Sequence, residues 1–255
     1  MLFRAEVARH EYGNGTLALS GFDLTVAQGE FLSLLGSSGC GKTTALRLIA
    51  GLRVPTDGVV QWHEPNLPGD VGLVFQEPTL MPWASVLTNV RLPLDLAGTP
   101  RRVGEGRARE LLARVGLSGF ENAYPRELSG GMRMRVSLAR SLVTEPKVLL
   151  MDEPFAALDE ISRLRLNDDL LALWRERNFT VLFVTHSVFE SVYLSTRVVV
   201  MTCRPGRVAA DMVIDLPQPR AGALRLTTGY AENCRKVSEA LARAMAGDCE
   251  PGEER

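Results

Sequence analysis

The residues Gly36-Ser37-Ser38-Gly39-Cys40-Gly41-Lys42-Thr43 follow the spacing G-x-x-x-x-G-K-[ST]. The chemistry this spacing serves is phosphate binding. Glycines let successive backbone N–H groups turn inward around an anion, and the positive end of a following helix adds to the same field. The compact ammonium of Lys42 suits β- and γ-phosphates, and the Thr43 hydroxyl is a hard oxygen ligand for Mg²⁺. Cys40 inside the loop reads as a small filler in preference to a redox switch.

Two further segments end in groups that a phosphate site can use. The apolar run Val148-Leu149-Leu150-Met151 leads directly into Asp152-Glu153. Adjacent carboxylates at the end of a buried strand are costly unless they are paired or used. Asp152 suits Mg²⁺ held through water, and Glu153 suits a general base that polarises attacking water. The second run, Val181 to Thr185, delivers His186. In open α/β sheets ligands bind at the carboxyl ends of strands, so His186 is expected beside Thr43 and Asp152 as a γ-phosphate sensor. His10 and His63 read as structural histidines. The segment Leu128-Ser129-Gly130-Gly131-Met132 precedes a helical period, and a serine with two glycines there fits either an anion site or an ordinary helix N-cap.

These groups need a scaffold, and the hydrophobic pattern supplies one. Strands are expected at Leu2–Ala8 and Leu17–Val26, joined through Tyr12-Gly13-Asn14-Gly15, where Asn-Gly favours a hairpin. Phe31–Leu35 is a short apolar strand feeding the phosphate loop, with a helix over Thr44–Gly51. Helical periods then run over Val86–Leu96, Ala108–Val115 and Gly131–Val143. Strands return at Val148–Met151, Thr180–Thr185 and Arg197–Met201. Between the first two of these, Glu160–Arg177 is amphipathic, with Ile161, Leu164, Leu171 and Trp174 near one stripe. A tail helix is expected over Asn233–Met245. Strands alternating with helices imply a parallel sheet covered on both faces.

The composition bounds the function. The 255 residues are 45% hydrophobic and 23% charged, enough for one large domain or two small lobes. A net charge of −1 with no basic block argues against nucleic acid as partner. Lys42, Lys147 and Lys236 are the only lysines among 29 basic residues, which makes the lysine in the phosphate loop more telling. Cys40, Cys203, Cys234 and Cys249 show no metal-ligand spacing, so free thiols in a reducing compartment are expected. Neither a leader peptide nor a run of about 18 apolar residues is evident. Any membrane role therefore requires a partner.

Taken in chain order, the phosphate loop, Gln76, Leu128-Ser129-Gly130-Gly131, Val148–Glu153, Ala157-Leu158-Asp159 and His186 resemble the ATP-binding cassette (ABC) family over nearly the whole chain. There they are the Walker A, Q-loop, signature, Walker B, D-loop and switch-histidine motifs, and Tyr12 matches the aromatic that stacks on adenine. The resemblance implies an α/β P-loop NTPase with a mostly parallel sheet core, an N-terminal antiparallel β subdomain and an inserted all-helical subdomain. The expected division is 1–84 and 145–217 for the core, 85–144 for the helical part and 218–255 for a short tail. ATP is expected to contact Tyr12, Gly36, Ser37, Ser38, Gly39, Cys40, Gly41, Lys42, Thr43 and Thr44. Ser129, Gly130, Gly131 and Asp159 complete the site from the mate in a head-to-tail homodimer. Mg²⁺ falls to Thr43, Gln76 and Asp152, and catalysis to Glu153, His186 and Gln76.

Within the family, the importer ATPases for nitrate, sulfonate and taurine are similar in Val74–Pro78, Leu80–Trp83, Tyr124-Pro125, Gly131–Arg133, Met151–Phe155 and Val184–His186. This implies a peripheral subunit on the cytoplasmic face of a membrane, with a permease helix docking near Gln76–Trp83 and a solute-binding protein in the complex. Leu80, Met81 and Trp83 form either the wall of that dock or internal packing. An exporter ATPase and a soluble non-transport cassette are the alternatives. Two departures stand out: Met132 where glutamine is common, and Ser187 where aspartate is usual.

Overall fold

The structure, a computed structural model, describes residues 1–64 and 70–246. The chain divides into two compact units, residues 1–69 with 178–255, and residues 70–177.

The first unit contains two β-layers. In one, β1 (Phe3–Glu11) pairs antiparallel with β2 (Leu17–Val26) on one side and with β4 (Asp57–Trp62) on the other. The expected hairpin is present: the Tyr12 N–H donates to the Thr16 carbonyl at 3.0 Å, and Gly15 turns the chain at φ 82°. In the other layer, β3 (Phe31–Leu35) lies between β7 (Thr180–Thr185) and β8 (Arg197–Met201), all parallel, with β9 (Val208–Val213) antiparallel on the outer edge of β8. Every residue of β3 and β7 is buried, as expected of parallel strands covered on both faces. The helices are α1 (Lys42–Ile49), α6 (Val188–Leu194) and α7 (Thr228–Ala246). Helix α7 buries Tyr230, Cys234, Val237, Ala240 and Ala244, a single stripe at helical spacing. It begins earlier than the sequence pattern suggests, because the Thr227 hydroxyl accepts the Tyr230 N–H at 3.3 Å and opens the first turn. Residues 247–255 of the expected tail, Cys249 among them, lie outside the described residues.

The second unit carries the parallel pair β5 (Val71–Val74) and β6 (Val148–Asp152) and four helices: α2 (Val86–Leu96), α3 (Arg101–Arg114), α4 (Gly130–Leu142) and α5 (Glu160–Arg177). Helix α3 starts seven residues before the expected Ala108. Its first two turns hold charges and glycines, so no apolar period announces them. Polar pairing fixes them instead: Glu105 accepts from Arg101 and from the buried Arg91 of α2, both at 2.8 Å. In α5 the buried face is Leu166, Asn167, Leu170, Leu171, Leu173 and Trp174, whereas Ile161 is 64% exposed. The expected stripe through Ile161 is thus corrected: Ile161 faces solvent.

Among the described residues Cys40 and Cys234 are free and buried.

Candidate functional site

The phosphate loop leaves β3 at Leu35 and enters α1 at Lys42. Gly39 and Gly41 have φ 75° and 106°, values that side-chain-bearing residues rarely adopt. Space is equally strict. A Cβ on Gly36 would stand 2.7 Å from the Cys40 sulfur, and one on Gly41 would stand 2.9 Å from the Ala18 carbonyl oxygen. No side chain caps α1, and the start of a helix carries a positive field that suits an anion. The Lys42 ammonium is buried and donates to the carbonyls of Gly36 and Ser37 at 2.9 and 2.8 Å. It is folded back over the loop, within reach of what the loop would hold. These features fit a polyphosphate.

His186 is placed by the neighbouring strand. The register pairs Leu35 with Thr185, so the phosphate loop and His186 leave adjacent parallel strands at the same end. The Thr185 hydroxyl donates to the buried Glu190 carboxylate at 2.7 Å and accepts the Ser187 N–H at 3.0 Å. Ser187 in turn caps α6, accepting the Glu190 N–H at 3.3 Å. Serine and aspartate are both good N-caps, which accounts for Ser187 in place of aspartate. Tyr12 also lies in this unit. Its hydroxyl and that of Thr44 are 2.7 Å apart, and the Arg53 guanidinium stands 4.9 Å from its ring centre.

In the second unit the register of β5 and β6 pairs Val74 with Met151. Gln76 and Glu153 therefore each stand two residues beyond this paired position, at the same end of adjacent parallel strands. Asp152 is buried and Glu153 half-buried, and Glu153 has φ 45°. A non-glycine residue in the left-handed region is strained, and such strain concentrates where a side chain must be aimed. Within this unit the Asp152 carboxylate and the Gln76 amide oxygen are hard oxygen donors of the kind that Mg²⁺ takes.

Comparison with known proteins decides what this arrangement is. The ABC transporter family profile matches residues 19–156. An uncharacterised ABC transporter ATP-binding protein of Methanocaldococcus jannaschii is 53% identical over 232 residues, covering 90% of this chain and 86% of that one. The chain belongs to the ABC transporter family of ATP-binding ATPases. An aliphatic sulfonates import ATP-binding protein of Rhodopseudomonas palustris is 47% identical over 214 residues, 83% of this chain and 74% of its own. Among solved structures, a dimeric ATP-binding cassette in a post-hydrolysis state with ADP and phosphate matches with a TM-score of 0.74 at 29% identity, over 85% of this chain and 100% of that one. A cassette of Clostridium perfringens, described as part of an ABC transporter complex, matches with a TM-score of 0.76 at 28% identity, covering 95% and 96% of the two chains.

The cassette's signature opens α4. Ser129 is the N-cap, its hydroxyl accepting the Met132 N–H at 3.2 Å. Met132 contributes its backbone to this cap, so the departure from glutamine leaves the cap in place. A Cβ on Gly131 would lie 3.4 Å from the Ser162 hydroxyl, and one on Gly130 would lie 3.6 Å from Leu158. The two glycines thus sit close against the D-loop and the first turn of α5. Asp159 is the cap of that turn: its carboxylate accepts the Ser162 N–H at 2.9 Å, and hydrogen bonding from the Ser162 hydroxyl, then from this N–H, holds its pKa below the usual carboxylate value.

Sequence reasoning missed one group at the phosphate loop. Arg204 donates to the Gly39 carbonyl through Nε and Nη2 at 3.2 and 3.1 Å. Beside it Gly206 exchanges backbone hydrogen bonds with Ala18 and Ser20, and a Cβ there would lie 2.2 Å from the Cys40 carbonyl oxygen. The signal was the triplet Arg204-Pro205-Gly206, a turn sequence directly after a strand.

Proposed function

We propose that this cassette is the ATP-hydrolysing subunit of an importer for a small solute of the sulfonate, taurine or nitrate class. It works as a head-to-tail homodimer on the cytoplasmic face of a membrane, with a separate permease and a solute-binding protein. The observation that carries the enzymatic part is the β5–β6 register, which brings Gln76 and Asp152-Glu153 out at neighbouring strand ends.

In this reading the loop N–H groups and Lys42 bind the β- and γ-phosphates, and Tyr12 stacks on adenine. Thr43, Asp152 and Gln76 hold Mg²⁺, which when bound neutralises charge on the transferring phosphoryl group. Glu153 accepts the proton of the water that attacks the γ-phosphorus, and His186 donates to the departing γ-phosphate. Ser129, Gly130 and Gly131 of the mate offer a helix start to that same γ-phosphate, with the mate's Asp159 beside it.

The importer assignment is supported by the identity to sulfonate import proteins and by a groove in the second unit. This groove has a volume of about 380 Å³ and is lined by Val71, Phe75, Thr79, Leu92, Leu96 and Arg140 among others. We read it as the seat of a permease helix, lined jointly by residues 71–79 and the helical part of 85–144. Leu80, Met81 and Trp83, singled out from the sequence for this wall, do not line the groove. They form a loop pinned by the buried Asn89, which bonds to the Met81 backbone from both ends of its amide, at 2.8 and 3.1 Å, and leaves Trp83 76% exposed.

Glu153→Gln tests the catalytic assignment. Turnover should fall by at least about 100-fold, because the neutral amide cannot take the proton, while ATP binding measured by equilibrium titration persists. Turnover equal to that of the wild type would remove Glu153 from the role of base.

A further inference from the structure

The loop after Gln76 is bent into a backbone shape that its own residues resist. Thr79 has φ 46°, and a β-branched residue in the left-handed region is held there only by its surroundings. One side chain does the holding. Arg140 of α4 donates through Nη1 to the Thr79 carbonyl at 2.9 Å, and through Nη2 to the Pro78 carbonyl at 2.9 Å and the Thr79 hydroxyl at 3.1 Å. Its planar fork spans three acceptors at once, which a lysine cannot do. Among the described residues no carboxylate pairs with it, and burial lowers its pKa. A half-buried guanidinium committed to neutral loop acceptors is an expensive fixture with no ion pair to explain it.

The position of Arg140 gives the arrangement a purpose. Helix α4 starts at the Ser129 cap and carries Arg140 in its last turn, roughly 16 Å further along the axis at 1.5 Å per residue. The same rigid rod therefore bears the signature serine at one end and the clamp on the Gln76 loop at the other. We propose that Arg140 is a positioning residue that fixes Pro78 and Thr79, and through them Gln76, so that engagement of the signature end of α4 is relayed to the metal and the attacking water. This rests on the reading of Gln76 as a ligand of the metal and the water.

The test is steady-state hydrolysis of MgATP by the purified full chain in Gln76→Ala, Arg140→Met, Arg140→Lys and Thr79→Gly variants and in the double variant R140M/T79G. Arg140→Met should lower kcat about tenfold with KM within about twofold, since the phosphate cradle is untouched. Arg140→Lys should recover only part of that loss. Thr79→Gly should restore kcat at least about threefold in the Arg140→Met background, because glycine enters the left-handed region freely without a clamp. A merely structural arginine would lower the melting temperature without such relief. Wild-type kcat in Arg140→Met, or a loss that Thr79→Gly does not relieve, overturns the inference. If Arg140→Met does not fold, the same comparison is made with Arg140→Lys and R140K/T79G, and the same outcomes decide it. Wild-type kcat in Gln76→Ala would instead refute the reading of Gln76 itself.

Discussion

Two side chains show how single residues are tuned by what surrounds them. Glu153 follows Asp152 at the end of a fully buried strand and takes φ 45°, a strain typical of groups that must point at a reacting atom. His10 is the opposite case. It is buried against the Tyr12 ring, with centroids 5.4 Å apart, and burial together with the Arg53 charge lowers its pKa below 6.5. The folded chain therefore takes up a proton at His10 less readily than the unfolded chain. Stability contributed by the neutral imidazole is present above about pH 6.5 and is lost as pH falls through the folded-state value. The melting temperature of the wild type should drop between pH 7 and pH 5, and His10→Phe should flatten that part of the profile. An identical drop in the variant would show that His10 is not responsible. Sequence alone marked His10 as structural, but its place beside the aromatic that we read as the adenine platform came from the fold of β1.

At the scale of elements, what was legible depended on how much apolar surface each one buries. The strands β3, β6, β7 and β8 are runs of buried aliphatics and were recognisable from pattern. Strands β4 and β9 were not, since Asp57–Trp62 and Val208–Val213 are largely exposed edge strands without a continuous apolar period. Helix α6 was missed because it is only seven residues long, and its start is set by the Ser187 cap. The motifs were legible for a different reason: a phosphate cradle and a carboxylate pair restrict residue type at every position. Arg140 escaped notice because an arginine bonded to carbonyls leaves no spacing signature, and Arg204 was marked only by the Pro205-Gly206 turn that follows it. The docking element is tested by Trp83→Ala. Trp83 stands 76% exposed, so its removal should change the melting temperature little, as for most surface substitutions. Co-purification with the permease should persist, because Trp83 does not line the groove read as the dock, and its loss would move the dock to the Leu80–Trp83 loop.

For the whole molecule, the division into two units sorts the chemistry. The phosphate loop, Tyr12 and His186 belong to one, and Gln76, Asp152, Glu153 and the Ser129 helix start to the other. Among the described residues no helix is long and apolar enough to cross a membrane. The proposed function requires two copies to share each nucleotide. The related dimeric cassette with ADP and phosphate matches this chain over 85% of its length, which makes the same pairing the natural proposal here. Adding ATP to the Glu153→Gln variant and measuring its size by gel filtration with light scattering tests this most directly. The account predicts a monomer without nucleotide, a dimer with ATP, and a return to monomer when Ser129→Phe blocks the helix start. A monomer at saturating ATP, with nucleotide binding verified in the same sample, would contradict it.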